Sequence, residues 1–237
     1  MRRLLPVILA AALAGGPAAA QVGARTAPPL PDTTASRYGS SGALVLVLTE
    51  YGFGLGGAVR GRLSDDYSAV AEIAVGAGRD EREQSFIGFL GERTTRFKRN
   101  YVTLVPLHVG LERRLFRASV EDNFRPYVHA SAGPTVAYQW PYFEDPDGDG
   151  RKALSEDVLG PLQALDEGEA RLGVGGTLAV GAFFGRGRRT TQAVRFGLQG
   201  TYFPTQIDLL ELDPNIEEPS RHTFWTPVVS FHVARLL

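Results

Sequence analysis

From residue 42 onward, apolar side chains return at every second position, and no stretch carries the 3.6-residue period of an amphipathic helix. The clearest case runs from Phe124 to Trp140. Its even positions are Phe124, Pro126, Val128, Ala130, Ala132, Pro134, Val136, Tyr138 and Trp140; its odd positions are Arg125, Tyr127, His129, Ser131, Gly133, Thr135, Ala137 and Gln139. Successive strand side chains point to opposite faces, so this spacing predicts a strand with one bulky face and one small or polar face. The same alternation marks segments beginning at Tyr51, Tyr67, Tyr101, Leu172, Val194 and Trp225. Ala43 to Leu48 is uniformly apolar and reads as an eighth strand, or as the first half of one running to Leu63. Pro106, Pro126, Pro134, Pro204 and Pro227 fall within these strands. A closed sheet has no free edge for them, so each predicts a bulge or a strand end.

The connections alternate as well. Ser64-Asp65-Asp66 and residues 116–123 and 185–190 are short, whereas residues 79–99, 141–170 and 207–220 are long. A chain crossing a slab repeatedly, with tight turns on one side and long loops on the other, has this rhythm. Arg186, Arg188 and Arg189 make one short connection basic, as at a solvated hairpin tip.

The second face of the strands decides what the slab is. A soluble barrel points its apolar face inward and shows water a face rich in lysine and glutamate. Here lysine occurs only at Lys98 and Lys152. The second face holds Gly, Ala, Ser and Thr with isolated charges at Arg60, Glu72, Glu112, Arg125 and Arg195. That set suits a narrow lumen in which Arg125, Arg195, Glu72 and Glu112 pair, because an unpaired charge there is costly. The bulky face then meets lipid. Tyr101, Tyr138, Trp140, Tyr142, Tyr202, Phe224 and Trp225 near the strand ends are candidates for interfacial girdles. The predicted fold is all-β: an antiparallel up-and-down transmembrane β-barrel over residues 42–237, with eight strands because bacterial single-chain barrels have even numbers.

The N-terminus agrees. Met1-Arg2-Arg3 precedes an apolar run from Leu4 to Leu13, and Ala18-Ala19-Ala20 fits the small-residue cleavage rule. Residues 1–20 read as a signal peptide cut before Gln21, and the turn-rich residues 21–41 as a flexible lead-in. Export and a lipid-facing wall place the protein in the cell outer membrane, with outer-membrane lipids as partners. The chain has no cysteine, which excludes disulfides and thiolate chemistry. Its net charge of -1 offers no basic field for nucleic acid. On these residues the segment 42–237 resembles the small eight-stranded outer-membrane proteins of the OmpA-like and OmpW-like kind.

Two local patterns bear on chemistry. Asp145-Pro146-Asp147-Gly148-Asp149-Gly150-Arg151-Lys152-Ala153-Leu154-Ser155-Glu156 resembles the twelve-position EF-hand calcium loop. The resemblance implies Ca²⁺ ligands from Asp145, Asp147, Asp149, the Arg151 carbonyl and Glu156, with Gly150 at the sharp turn. His129-Ala130-Ser131 resembles the His-x-Ser pair of outer-membrane lipid A deacylases, with Ala132 where that family places asparagine. In this register both side chains face the lumen, away from acyl chains, so they read as part of a polar lumen cluster. The functional expectation is a barrel without enzymatic activity and with a structural or loop-mediated interaction role. The alternatives are a narrow channel for small or apolar solutes and a lipid A-modifying enzyme. An eight-stranded lumen is ordinarily filled by side chains, which disfavours a wide pore.

Overall fold

The computed structural model describes residues 40–80, 82–87, 93–117, 119–120, 123–153, 156–185, 190–212 and 219–236. The signal peptide, most of the lead-in, the basic tip at Arg186, Arg188 and Arg189, and Leu154-Ser155 of the acidic loop lie outside these residues. In chain order the strands are β1 (Ser41–Thr49), β2 (Gly52–Arg62), β3 (Tyr67–Gly78), β4 (Gln84–Ile87), β5 (Arg93–Arg96), β6 (Asn100–Arg114), β7 (Phe124–Pro141), β8 (Glu169–Phe184), β9 (Thr190–Asp208) and β10 (Ser220–Leu236). Eight of them form a closed barrel in the order β1-β10-β9-β8-β7-β6-β3-β2. Every pairing is antiparallel, and β1 closes the ring by pairing with β2 on one side and β10 on the other. The uniformly apolar segment is therefore a strand of its own. It turns at Glu50-Tyr51 into Gly52, whose φ of 139° only glycine adopts readily.

The bulky face points outward. Leu44, Phe53, Leu55, Val59, Val75, Val109, Leu172, Val180, Phe196, Trp225 and Val233 are exposed on the barrel's outer surface. The small and charged face points inward, where Arg60, His108, Glu112, Arg125, His129, Thr135, Arg195, Ser230 and His232 are buried. This inversion of the usual inside and outside is what a hydrocarbon solvent selects. In lipid every backbone group must be bonded within the protein, and a closed sheet leaves no open edge.

The prolines sit where the ladder does not need their missing N–H. Pro204 lies opposite a register shift between Arg221 and Thr223 of β10. Pro106 falls where the β3–β6 ladder skips from Ile73–Leu107 to Gly76–Leu104. Pro134 falls where the β6–β7 ladder skips from Pro106–Thr135 to Val109–Ala132. Pro126 lies one step beyond the last β6 pair at Tyr127, and Pro227 one step beyond the last β1 pair at Val228.

Three features depart from the sequence expectations. Residues 79–99 are not a plain loop, since β4 and β5 pair there as a separate hairpin. Four-residue strands are too short to show a period of two. Phe224 is not a girdle residue: it is buried inside the barrel, because Trp225 takes the outward position and neighbours in a strand cannot share a face. Tyr142 is likewise buried, beneath the outer loops.

Candidate functional site: the lumen and the outer cap

Mid-lumen, five strands aim charged and polar side chains at one another. Arg195 of β9 donates through Nη2 to Glu72 Oε2 of β3 at 2.9 Å and through Nε to Ser230 Oγ of β10 at 3.0 Å. Arg60 of β2 donates through Nε to Glu112 Oε2 of β6 at 2.9 Å and through Nη2 to His232 Nδ1 at 3.0 Å. Ser230 Oγ lies 3.0 Å from His232 Nε2, which joins the two ion pairs into one network. Two arginines thus meet two glutamates, and a hydroxyl and an imidazole take up further guanidinium donors, which offsets much of the cost of burying these charges, although Arg60 Nη1 has no hydrogen-bond partner. Of the four charges expected to pair, Glu72, Glu112 and Arg195 do so, but the partner of Glu112 is Arg60. Arg125 lies over the Phe183 ring, 5.7 Å from its centroid, and the Arg60 guanidinium lies 5.2 Å from the same centroid.

The His129–Ser131 pair belongs to this network. His129 Nε2 is 3.0 Å from Ser131 Oγ, and His129 Nδ1 is 3.6 Å from Glu112 Oε1. That spacing looks like a serine nucleophile with its base. However, Arg195 Nη1, which can only donate, also faces His129 Nε2 at 3.0 Å, and Ser131 Oγ donates to Glu72 Oε1 at 3.3 Å. A base whose lone pair already accepts an arginine N–H does not take the serine proton. Both side chains face the lumen and are buried, as the alternation predicted.

Above the network lies a small cavity of about 70 Å³. Val45, Val47, Tyr51, Leu104 and Pro106 supply apolar walls, and Glu72, His108 and Arg195 supply a polar floor. Its outer side meets an apolar cluster formed by Tyr51, Val102, Ala137, Phe203, Ile207, Leu209, Leu210 and Phe224. Leu209 and Leu210 come from the β9–β10 connection, which turns back into the barrel mouth.

The outer loops lock over this cluster. Lys98 and Leu210 form a bridge, Arg99 N donates to Leu209 O, Glu211 N donates to Phe97 O, and Tyr142 N donates to Arg99 O. Two buried acids anchor the β3–β4 connection. Asp80 accepts from Arg82 and pairs with Arg221 of β10 at 3.0 Å, and Glu83 pairs with Lys98 at 3.2 Å. Burial pushes the Asp80 carboxyl up, but the Arg82 hydrogen bonds and the Arg221 charge outweigh it and hold that carboxyl below the usual aspartate range. The sequence showed this stretch only as a charged loop.

In the acidic loop, ligand atoms of Asp145, Asp147 and Asp149 all lie within 4.8 Å of one another. Gly150 has φ +72°, as the sharp turn of the resembled loop requires, and its N–H donates to Asp145 Oδ2 at 3.0 Å. Asp145 Oδ1 is enclosed and has no hydrogen-bond partner. Glu156 lies outside the cluster and accepts from Ala153 N at 2.7 Å. Arg151 donates through Nε to Leu212 O at 2.7 Å, tying the acidic loop to the β9–β10 connection.

A closed antiparallel wall with an apolar exterior and a charged, internally paired lumen decides the class. The protein folds as a transmembrane β-barrel. No protein-family model and no curated protein matches the chain. Solved structures with a similar course of the chain include a major outer membrane protein from Thermus thermophilus, at 10% identity and a TM-score of 0.49, covering 84% of this chain and 99% of that one. Neisserial surface protein A is similar at 9% identity and a TM-score of 0.39, covering 84% and 94%. The N-terminal β-barrel domain of Pseudomonas aeruginosa OprF is similar at 11% identity and a TM-score of 0.36, covering 82% and 96%.

Proposed function

We propose that this barrel is a closed, non-enzymatic scaffold that holds a rigid outer cap at the cell surface, and that it acts through that cap. The observation carrying this reading is the double closure of the lumen: the Arg60–Glu112 and Arg195–Glu72 network at mid-height, and the Phe203–Leu210–Phe224 cluster at the mouth. Hydrated ions crossing an eight-stranded barrel would have to displace both. The loops that close it also bond to one another across the mouth, so they form a fixed surface rather than independent tethers. Planar bilayers containing the purified protein should show no stable single-channel steps. Reproducible conductance would favour the narrow-channel alternative, with the lumen cavity as part of its path. An unchanged lipid A mass spectrum after expression is expected, and loss of an acyl chain would overturn the non-enzymatic assignment.

A second reading concerns the cap alone. The convergence of three aspartates around the unpartnered Asp145 Oδ1 supports a weak Ca²⁺ site, with Asp145, Asp147 and Asp149 as ligands. The Arg151 carbonyl completes the set, and Glu156 closes over it by exchanging its bond to Ala153 N. An affinity of about 10⁻⁴–10⁻³ M suffices outside a cell. Protease cleavage between Tyr142 and Gly168 should slow with calcium in the parent but not in Asp145→Ala/Glu156→Gln. Identical cleavage with calcium and with chelator in both proteins would remove the site.

A further inference from the structure

The β7–β8 connection does something that neither a scaffold nor a calcium loop requires. After the Phe143–Val158 bridge the chain does not stay over the barrel mouth. It runs across the outward face of β6 and β7, held there by three aromatic side chains. Tyr101 Oη donates to Leu159 O at 3.0 Å, Trp140 Nε1 donates to Pro161 O at 2.9 Å, and Tyr138 Oη donates to Leu165 O. These rings occupy outward strand positions, and they stack on one another, with Tyr101–Trp140 centroids 5.5 Å apart and Tyr138–Trp140 centroids 5.7 Å apart. Gly168 makes the return crossing possible: a Cβ there would lie 2.6 Å from Tyr138 Cζ. The strap from Leu159 to Gly168 therefore covers donor groups that interfacial aromatics normally turn toward lipid headgroups.

What the strap shows in exchange is apolar. Leu162 is 81% exposed at its crest, and Leu165 is exposed beside it on the short 3₁₀ turn Leu165–Glu167. Directly below on the same outward face, Leu172 and Val174 of β8 continue the apolar band. The strap's apolar crest is thus continuous with the lipid-facing wall, while Asp166 and Glu167 mark its polar edge.

We propose that residues 159–168 are an interfacial foot, which seats Leu162 and Leu165 at the headgroup–acyl boundary of the outer leaflet. The occupant of this surface is lipid. The foot widens the barrel's footprint beside β6 and β7, so it sets the tilt and depth of the cap relative to the membrane plane. An amphipathic segment lying in the interface gains from buried apolar area without crossing the bilayer.

Because the chain lacks cysteine, single labelling sites are available without background. Leu162→Cys, Val174→Cys as a wall reference and Asp149→Cys as a cap reference would each carry an environment-sensitive fluorophore, with the full barrel refolded into phosphatidylcholine vesicles. The label at position 162 should emit blue-shifted relative to position 149. It should be quenched by lipids bearing a nitroxide near the headgroup more than by lipids bearing one deep in the chain. Emission and iodide quenching equal to position 149 would overturn the foot. Protection from iodide without quenching by nitroxide lipids would mean that protein covers the crest, and would overturn the lipid assignment. In either case the Val174 reference reports separately whether the barrel itself has inserted.

Discussion

The lumen network shows what single residues contribute. Glu72 and Arg195 are held at 2.9 Å away from water, and each also satisfies partners on other strands. Removing one side leaves an uncompensated buried charge, which costs about 3–5 kcal/mol, whereas removing both restores neutrality. Arg195→Met should therefore destabilise the barrel more than Arg195→Met/Glu72→Gln does, as read from urea unfolding in detergent micelles. Additive losses would show that the pair is not coupled. In the cap, Asp80 gives a pH dependence. Its carboxyl is held below the usual aspartate range, so its contribution is complete above the unfolded value of about 3.9 and disappears as pH falls through the folded value. The thermal-stability gap between the parent and Asp80→Asn should stay constant from neutral pH down to about 4 and close below it. A gap that persists undiminished at the lowest pH would contradict the Arg82–Asp80–Arg221 clasp.

The strands were the legible part of the sequence. Phe124 to Trp140 alternates because one face of β7 meets hydrocarbon and the other meets the lumen, and burial follows that alternation along most of the strand. Val128→Arg on the outward face should cost about 2–4 kcal/mol of folding into bilayers, while Thr135→Ser on the inward face keeps the hydroxyl beside His108 and should be nearly silent. Equal tolerance at the two positions would reverse the faces. What the sequence hid lies where periodicity stops. Leu209 and Leu210 sit in a connection, and nothing local distinguishes a leucine that plugs a mouth from one that is merely in a loop. Residues 159–168 read only as part of the long 141–170 connection; their role appears when three distant aromatics reach the carbonyls of Leu159, Pro161 and Leu165. Arg60 was visible as a lumen charge, but its partner depended on register across β2, β3 and β6, which alternation does not specify.

For the whole molecule, one physical decision governs the rest. Putting the bulky face outward makes the wall stable only in lipid, and it obliges the lumen to satisfy its own charges. The turns after β2, β6 and β8 and both chain ends of the barrel then share one side, where β1 begins and β10 finishes, and the long connections share the other with the tight β1–β2 turn and build the cap. Separating the membranes of expressing cells and running the outer-membrane fraction on gels with and without boiling tests this most directly. The protein should partition with the outer membrane and migrate as a compact species unboiled, shifting to its full-length position after boiling. Recovery in the soluble periplasmic fraction, with no change in mobility on heating, would contradict a lipid-facing barrel.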